Sequence, residues 1–210
     1  MGRALSVDNV LTSKFNMLDF DGKWKDAVGT PERTGTWFIQ APPKSGKTTL
    51  AMLISKYLTK FGKVNYNSIE EGKSKTMQDA IIRADMKDVG RSFMLLDKEE
   101  LDEMQTRLDA RKSAQFVVID SIQFMELKFS DYKMLKKRYP DKIFIYISHM
   151  KGTSPDGSVA NKVFRDAGVT FRLEGFVAFP TSRYGGGKPI IVYEEGALKY
   201  WGLEQVQAFR

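Results

Sequence analysis

Ala41-Pro42-Pro43-Lys44-Ser45-Gly46-Lys47-Thr48-Thr49-Leu50 follows a short apolar run, Trp37-Phe38-Ile39-Gln40, and leads into a stretch with helical spacing. Strand, loop and helix in that order, with the pattern G-x-x-x-x-G-K-[ST] across the loop, is what a phosphate-binding loop requires. Backbone N–H groups from Lys44 to Thr48 can curl around a phosphate, and the positive end of the following helix adds to the field. Gly46 removes a Cβ from the line of approach. Lys47 can reach the β- and γ-phosphates, and the Thr48 hydroxyl can hold Mg²⁺. The loop residues expected to touch a nucleoside triphosphate are Pro43, Lys44, Ser45, Gly46, Lys47, Thr48 and Thr49. One residue departs from the pattern: Ala41 stands where the first glycine is expected, which the loop tolerates if φ there is negative.

Outward from this loop, strands and helices alternate, which predicts an α/β domain with a mostly parallel central sheet. The helix after the loop runs to about Phe61, with Leu50, Leu53, Ile54, Tyr57, Leu58 and Phe61 at helical spacing and Gly62 as its stop. Val64 to Ile69 reads as a second strand, Thr76 to Ala84 as a helix, and Phe93 to Leu96 as a short strand. Asp97 is expected to cap a helix, with Glu100 at the capping-box position and Leu101, Met104 and Leu108 facing inward. Phe116 to Ile119 is a buried strand ending in Asp120. Asp131 to Tyr139 is a basic helix stopped by Pro140, and Ile143 to Ser148 is another central strand. Strands are expected near 169–173, 176–180, 189–194 and 197–201, with turns at Gly185-Gly186-Gly187 and Glu195-Gly196. They read as antiparallel strands added to one edge of the parallel sheet. Residues 1–35 hold turn formers and weak periodicity, and are expected to be an extension packing on a core of residues 36–210.

Composition sets bounds on this reading. A chain of 210 residues with 42% hydrophobic content suits one domain with a single core. It has no cysteine, which excludes disulfides and thiolate metal sites and fits a reducing compartment. No apolar run reaches membrane-spanning length, and no signal-peptide pattern opens the sequence, so the expectation is a cytoplasmic protein without a membrane role. Lys and Arg number 33 against 26 Asp and Glu, a net charge of +7 that permits contact with nucleic-acid phosphates.

Two further features complete a nucleotide site. Asp120 closes a strand of four apolar residues, which puts its carboxylate at the C-terminal edge of the sheet, where ligands of α/β folds bind. There it is the candidate second holder of Mg²⁺, with Thr48. Glu70 and Glu71 follow the strand after the loop helix, where a carboxylate can orient the attacking water; Glu70 is the preferred candidate. His149, the single histidine, ends a buried strand as a candidate phosphate or water sensor.

At these residues the chain resembles the RecA-like P-loop ATPases, and within them the RadA/Sms repair proteins and DnaB-type helicase cores, over about Phe15 to Gly202. Lys47 and Thr48 match the Walker A positions. Tyr66-Asn67-Ser68-Ile69-Glu70-Glu71 resembles the strand ending in the family's catalytic glutamate, and Val117-Val118-Ile119-Asp120-Ser121-Ile122-Gln123 the Walker B stretch. Ile147-Ser148-His149 falls at the polar sensor position. Ser182-Arg183-Tyr184-Gly185 resembles the K-N-R-F-G and K-x-R-x-G motifs, with Thr181 where the family has lysine. The resemblance implies an ATP- and Mg²⁺-dependent ATPase acting on DNA, DNA-stimulated, in recombination, repair or replication. It implies a homo-oligomeric ring or filament with ATP between subunits, and Arg183 reaching a neighbour's site as an arginine finger. It also implies single-stranded DNA as a partner, for which the Lys151–Arg165 stretch is preferred over the solvated face carrying Lys133, Lys136, Lys137 and Arg138. Phe164 and Tyr184 read as core. Two alternatives stand beside this reading. One is a nucleotide-gated assembly or binding protein with weak or no hydrolysis, suggested by Ala41 and Thr181. The other is a small-molecule kinase, disfavoured because no arginine-rich lid is present.

Overall fold

The computed structural model describes residues 4–210; the first three residues of the expected 1–35 extension lie outside the described residues. The chain opens with helix α1 (Val7–Leu11), capped by Ser6, and α2 (Gly22–Val28). Then come β1 (Gly35–Ala41), α3 (Lys47–Leu58), β2 (Val64–Ser68), α4 (Lys75–Arg83) and β3 (Phe93–Asp97). They are followed by α5 (Leu101–Leu108), β4 (Phe116–Asp120), α6 (Phe129–Arg138), β5 (Ile143–Lys151) and the two-residue β6 (Ser154–Pro155). The C-terminal part is α7 (Ser158–Asp166), β7 (Val169–Glu174), β8 (Val177–Ser182), β9 (Ile190–Ile191), α8 (Glu194–Trp201) and α9 (Leu203–Ala208).

The sheet order is β3-β2-β4-β5-β1-β7-β8-β9, with β6 paired to the end of β5. The strands from β3 through β7 pair in parallel, while β8 and β9 add antiparallel. Both faces of the central strands are buried, as a parallel sheet between helices demands. In β1, Trp37, Ile39 and Ala41 face the cluster holding Leu50 and Ile54 of α3, while Phe38 faces the cluster of Met104, Tyr132 and Val163. In β5, Ile143, Ile145 and Ile147 lie in the first cluster and Phe144 and Tyr146 in the second. The period of two along a strand produces this sorting. Truncating a ring such as Phe38, fully buried, costs about 3–5 kcal/mol through lost transfer energy and the cavity left behind.

The segment before β1 divides. Leu18, Phe20, Trp24, Ala27 and Val28 are buried in the first cluster, with Trp24 stacked on Tyr57 at 5.4 Å. Everything in α1 is exposed. Gly29 lies so near the turn after β8 that a Cβ would fall 1.9 Å from the Tyr184 carbonyl oxygen, and its φ of +71° also favours glycine.

Four expectations are corrected. Residues 197–201 form no strand but belong to α8, and only Ile190–Ile191 of the expected 189–194 strand pairs. Glu195-Gly196 is accordingly no turn: Gly196 is buried inside α8, where a Cβ would meet the Phe176 ring at 2.5 Å. Leu198 and Trp201, three apart, pack with Phe179 and Phe209, the spacing of a helix face. Asp97 does not cap α5. It ends β3 and accepts the Lys73 N–H at 2.8 Å, while Glu100 is the N-cap and takes a reciprocal bond from Glu103 (Glu100 N–H to Glu103 Oε2, 2.9 Å).

Phe164 and Tyr184 are core side chains. Phe164 sets its edge against Phe38 at 5.6 Å, and Tyr184 packs on the first cluster. The basic face of α6 is partly tied down, Lys136 to Asp166 at 2.6 Å and Arg138 to Asp109 at 2.5 Å.

Candidate functional site

The ends of four parallel strands bring the predicted residues together. Ala41, the last residue of β1, pairs with His149 on β5, and Asp120 of β4 pairs with Ile147 of β5 and Ser68 of β2. The strand register therefore fixes the spacing of loop, Asp120, Glu70 and His149 at one edge of the sheet. Ala41 is buried in extended backbone without a positive φ, so the missing first glycine is accommodated.

Beyond Ala41 the chain turns through left-handed backbone at Lys44 (φ 59°) and Gly46 (φ 95°) and enters α3. Such residues in succession aim consecutive N–H groups into one concavity, and the first N–H groups of α3 have no partner within the helix. Ser45 turns its hydroxyl inward to the Pro42 carbonyl at 2.7 Å.

A cavity of about 770 Å³ opens over this loop. Pro43, Lys44, Gly46, Lys47, Thr48, Thr49, Glu70, Glu71, Asp120 and His149 line it. Of the predicted site residues, Ser45 and Arg183 are outside this lining. Arg183 follows β8, which runs antiparallel away from the cavity, so it lies at the opposite edge of the sheet, about 20 Å of strand away.

Inside the cavity Lys47 Nζ stands 3.1 Å from His149 Nδ1, and His149 Nε2 3.1 Å from Glu70 Oε2. An ammonium only donates, so Nδ1 accepts, Nε2 carries the proton and donates it to the carboxylate. The two adjacent glutamates differ. Glu71 accepts the Thr76 hydroxyl at 2.5 Å, whereas Glu70 faces the histidine, and its own N–H bonds the Asp120 carbonyl at 3.1 Å.

Asp120 is buried, and the Tyr66 hydroxyl donates to its Oδ2 at 2.5 Å. Burial pushes its carboxyl up to about 6, against the pull of that hydrogen bond and of the Lys47 charge, with Glu70 and Glu71 adding to the rise. Such a carboxylate is under-compensated for its charge and fits a cation. Among the described residues no group of three or more acidic or histidine side chains forms a ready cage. Mg²⁺ takes only one or two protein ligands beside water and phosphate oxygens, and Thr48 with Asp120 meets that need.

Sequence reasoning missed several neighbours. Tyr66 is buried in β2, at the head of the stretch that ends in Glu70, and no role is read for it from the sequence. Gln123 accepts the His149 N–H at 3.3 Å through Oε1, and donates from Nε2 to Ser148 Oγ and the Asp156 carbonyl at 2.8 Å each. Arg83, Phe176, Val192 and Tyr193 complete the cavity wall. Tyr66 and Gln123 lie at the ends of the two motif stretches quoted above, which signal the neighbourhood but not the role of either side chain; Arg83, Phe176, Val192 and Tyr193 lie in none of the quoted stretches. The turn between β7 and β8 is tight enough that Phe176 itself has a φ of 61°.

No protein-family profile matches the chain, and no curated protein matches it. Solved structures do. The flagellar accessory protein FlaH from Methanocaldococcus jannaschii aligns at a TM-score of 0.60 and 15% identity, over 86% of this chain and 96% of that one. A DnaB-like replicative helicase, solved with a study of its interactions with primase, aligns at 0.54 and 17% identity, over 75% of this chain and 54% of that one. The ATP synthase subunit NeqB from Nanoarchaeum equitans aligns at 0.52 and 12% identity, over 76% of this chain and 50% of that one. At these low identities the alignments show a shared fold, and the chain has a RecA-like fold of the DnaB type.

Proposed function

We propose that this chain binds and hydrolyses ATP, and that it does so as a DNA-acting RecA-like ATPase whose site is completed by a neighbouring subunit. The observation that carries the reading is the convergence of Lys47, Thr48, Glu70, Asp120 and His149 on one cavity over a left-handed loop.

In this reading the amides of Lys44 to Thr48 bind the β-phosphate, and Lys47 leaves His149 to reach the β- and γ-oxygens. Thr48 and Asp120 would hold Mg²⁺, whose positive charge would offset that of the phosphate oxygens. Glu70 orients a water whose oxygen attacks the γ-phosphorus. The bond from that phosphorus to the β–γ bridging oxygen breaks, ADP leaves, and the water's proton passes to Glu70. His149, relieved of Lys47, swings its protonated Nε2 from Glu70 to a γ-phosphate oxygen, which frees Glu70 for the water, and reports the phosphate through Gln123 to the β5–β6 hairpin. The exposed Lys151, Gly152 and Thr153 of that hairpin suit contact with the backbone of single-stranded DNA. Residues 36–210 are read as the ATPase core and the segment before them as an extension, laid on that core through Leu18, Phe20, Trp24, Ala27 and Val28.

Arg183 supports the intersubunit reading because it is exposed and a strand's length from its own site. It then stabilises the transferring phosphoryl group of another subunit. Lys188, the other cation of that turn, stands 3.8 Å from Asp26. Thr181, in place of a lysine, favours the second reading, a nucleotide-gated assembly protein with little turnover.

ATP turnover with and without single-stranded DNA, at several protein concentrations, separates the two. Turnover that rises with both DNA and protein concentration is expected. Tight ATP binding with negligible turnover under all conditions supports the assembly protein instead. No helix among the described residues is long and apolar enough to cross a membrane.

A further inference from the structure

The phosphate loop holds two lysines, and the nucleotide reading uses the side chain of only one. Lys44 contributes its amide to that reading, and its side chain is left unused. Its backbone is left-handed, with a φ of 59°, a conformation that glycine adopts freely and a residue with a Cβ adopts under strain. A lysine here stands against the local preference of the chain, and strain of this kind gathers at functional sites. The side chain is exposed and lines the nucleotide cavity. Among the described residues it has no ion-pair or hydrogen-bond partner, whereas Lys47, three residues on, is held at 3.1 Å by His149 Nδ1.

The charges around the cavity make that difference matter. Glu70, Glu71 and Asp120 all line it, so an approaching anion meets three carboxylates. The cations on the wall are Lys44, Lys47 and Arg83. Lys47 is half-buried and engaged, and Arg83 comes from the last turn of α4, off the loop. Lys44 is both free and part of the loop whose amides take the phosphate.

We propose that Lys44 is the capture cation of this site: its ammonium meets the phosphate tail of an incoming nucleotide before Lys47 has left His149. The inference rests on the nucleotide reading above and adds an order of events to it. A charge at the rim of a cleft acts on the encounter, raising the on-rate and making it salt-dependent, while a buried hydrogen-bonded charge acts on dissociation. Lys44 is of the first kind and Lys47 of the second. Once the tail is held, Lys47 exchanges the imidazole for phosphate oxygens, and the exposed Lys44, screened by water, adds little to the bound state.

The test is stopped-flow mixing of the full chain with a fluorescent ribose-labelled ATP analogue in magnesium buffer. Salt is raised from about 50 to about 500 mM KCl, which shortens the Debye length from roughly 14 to roughly 4 Å. Lys44→Gln keeps the Cβ and removes only the charge. It is expected to slow association about fivefold at low salt and less than about twofold at high salt, with dissociation changed by less than about twofold. Lys44→Glu should slow association further, and Lys44→Arg should keep the wild-type rate. Lys47→Ala is the control for the phosphate reading and is expected to speed dissociation. If Lys47→Ala binds as wild type does, the phosphate-loop reading falls. If Lys47 dependence holds but Lys44→Gln associates at the wild-type rate, or is slowed equally at all salt concentrations, capture by Lys44 alone is overturned. It is overturned too if Arg83→Ala, which removes one positive charge from the same cavity, slows association as much, because the effect then belongs to the field of the whole cavity.

Discussion

Replacing Asp120 by asparagine is expected to make the ligand-free protein more stable at neutral pH while removing its activity. The carboxyl is raised from 3.8 to about 6 by burial. A folded-state value above the unfolded one means that the folded protein holds the proton more tightly. The resulting stability is fully present below pH 4, and it is lost as pH rises through 6. A rise of about two units corresponds to about 3 kcal/mol at 1.36 kcal/mol per unit. The amide keeps an oxygen for the Tyr66 hydroxyl but adds a buried donor, which costs about 1 kcal/mol. The net gain at pH 8 is therefore about 2 kcal/mol, or roughly 4–8 °C in Tm for a chain of this size. Thermal melts of wild type and Asp120→Asn at pH 4, 6 and 8, without nucleotide or metal, read this directly. The advantage should vanish on acidification and turn into a deficit of up to about 1 kcal/mol toward pH 4, where the wild-type carboxyl is itself protonated and only the cost of the amide remains. Added ATP and Mg²⁺ should narrow or reverse the ranking, because the wild type, with both Mg²⁺ ligands, gains more binding energy than the variant. An Asp120→Asn protein no more stable than wild type at pH 8, or an advantage unchanged by acid, refutes the assignment of Asp120 as an under-compensated buried charge.

Two other outcomes follow from the site. Glu70→Gln should keep ATP affinity within a few-fold and lower turnover at least about a hundredfold, measured by nucleotide titration and phosphate release. Full residual turnover removes Glu70 from the chemistry. Arg183→Ala should lose turnover yet retain ATP affinity, and mixing it with Lys47→Ala should restore part of the activity, since a mixed assembly pairs an intact loop with an intact arginine. An inactive mixture of the two, each folded and able to assemble, counts against action in trans.

Legibility from sequence followed the range of the interactions involved. The loop from Ala41 to Leu50 carries its own conformation in Gly46 and in the strand and helix on either side, so its place and geometry were readable. Asp120 was readable because four buried apolar residues deliver it to a strand end. Glu70 and Glu71 were harder to separate, and the structure distinguishes their positions through Thr76, a residue on the next helix. The helix at Glu194–Trp201 was misread because Gly196 looks like a turn former. Its role is to admit the Phe176 ring from twenty residues upstream, a tertiary contact that leaves no local trace. Arg83 and Tyr193 reach the cavity from elements 110 residues apart, and neither lies in a motif.

Because Lys47 rests on an imidazole rather than on water, an incoming oxyanion displaces a bond already made. Sulfate or orthophosphate carries one tetrahedral group: it can fill the amide concavity, but from the lysine it gains little more than His149 gives up. A triphosphate replaces the same bond and at the same time fills the concavity of backbone amides and reaches Thr48. The resting hydrogen-bond chain thus acts as a filter on phosphate-tail length: it raises the threshold for every anion by the same amount, and only the longer tails clear it.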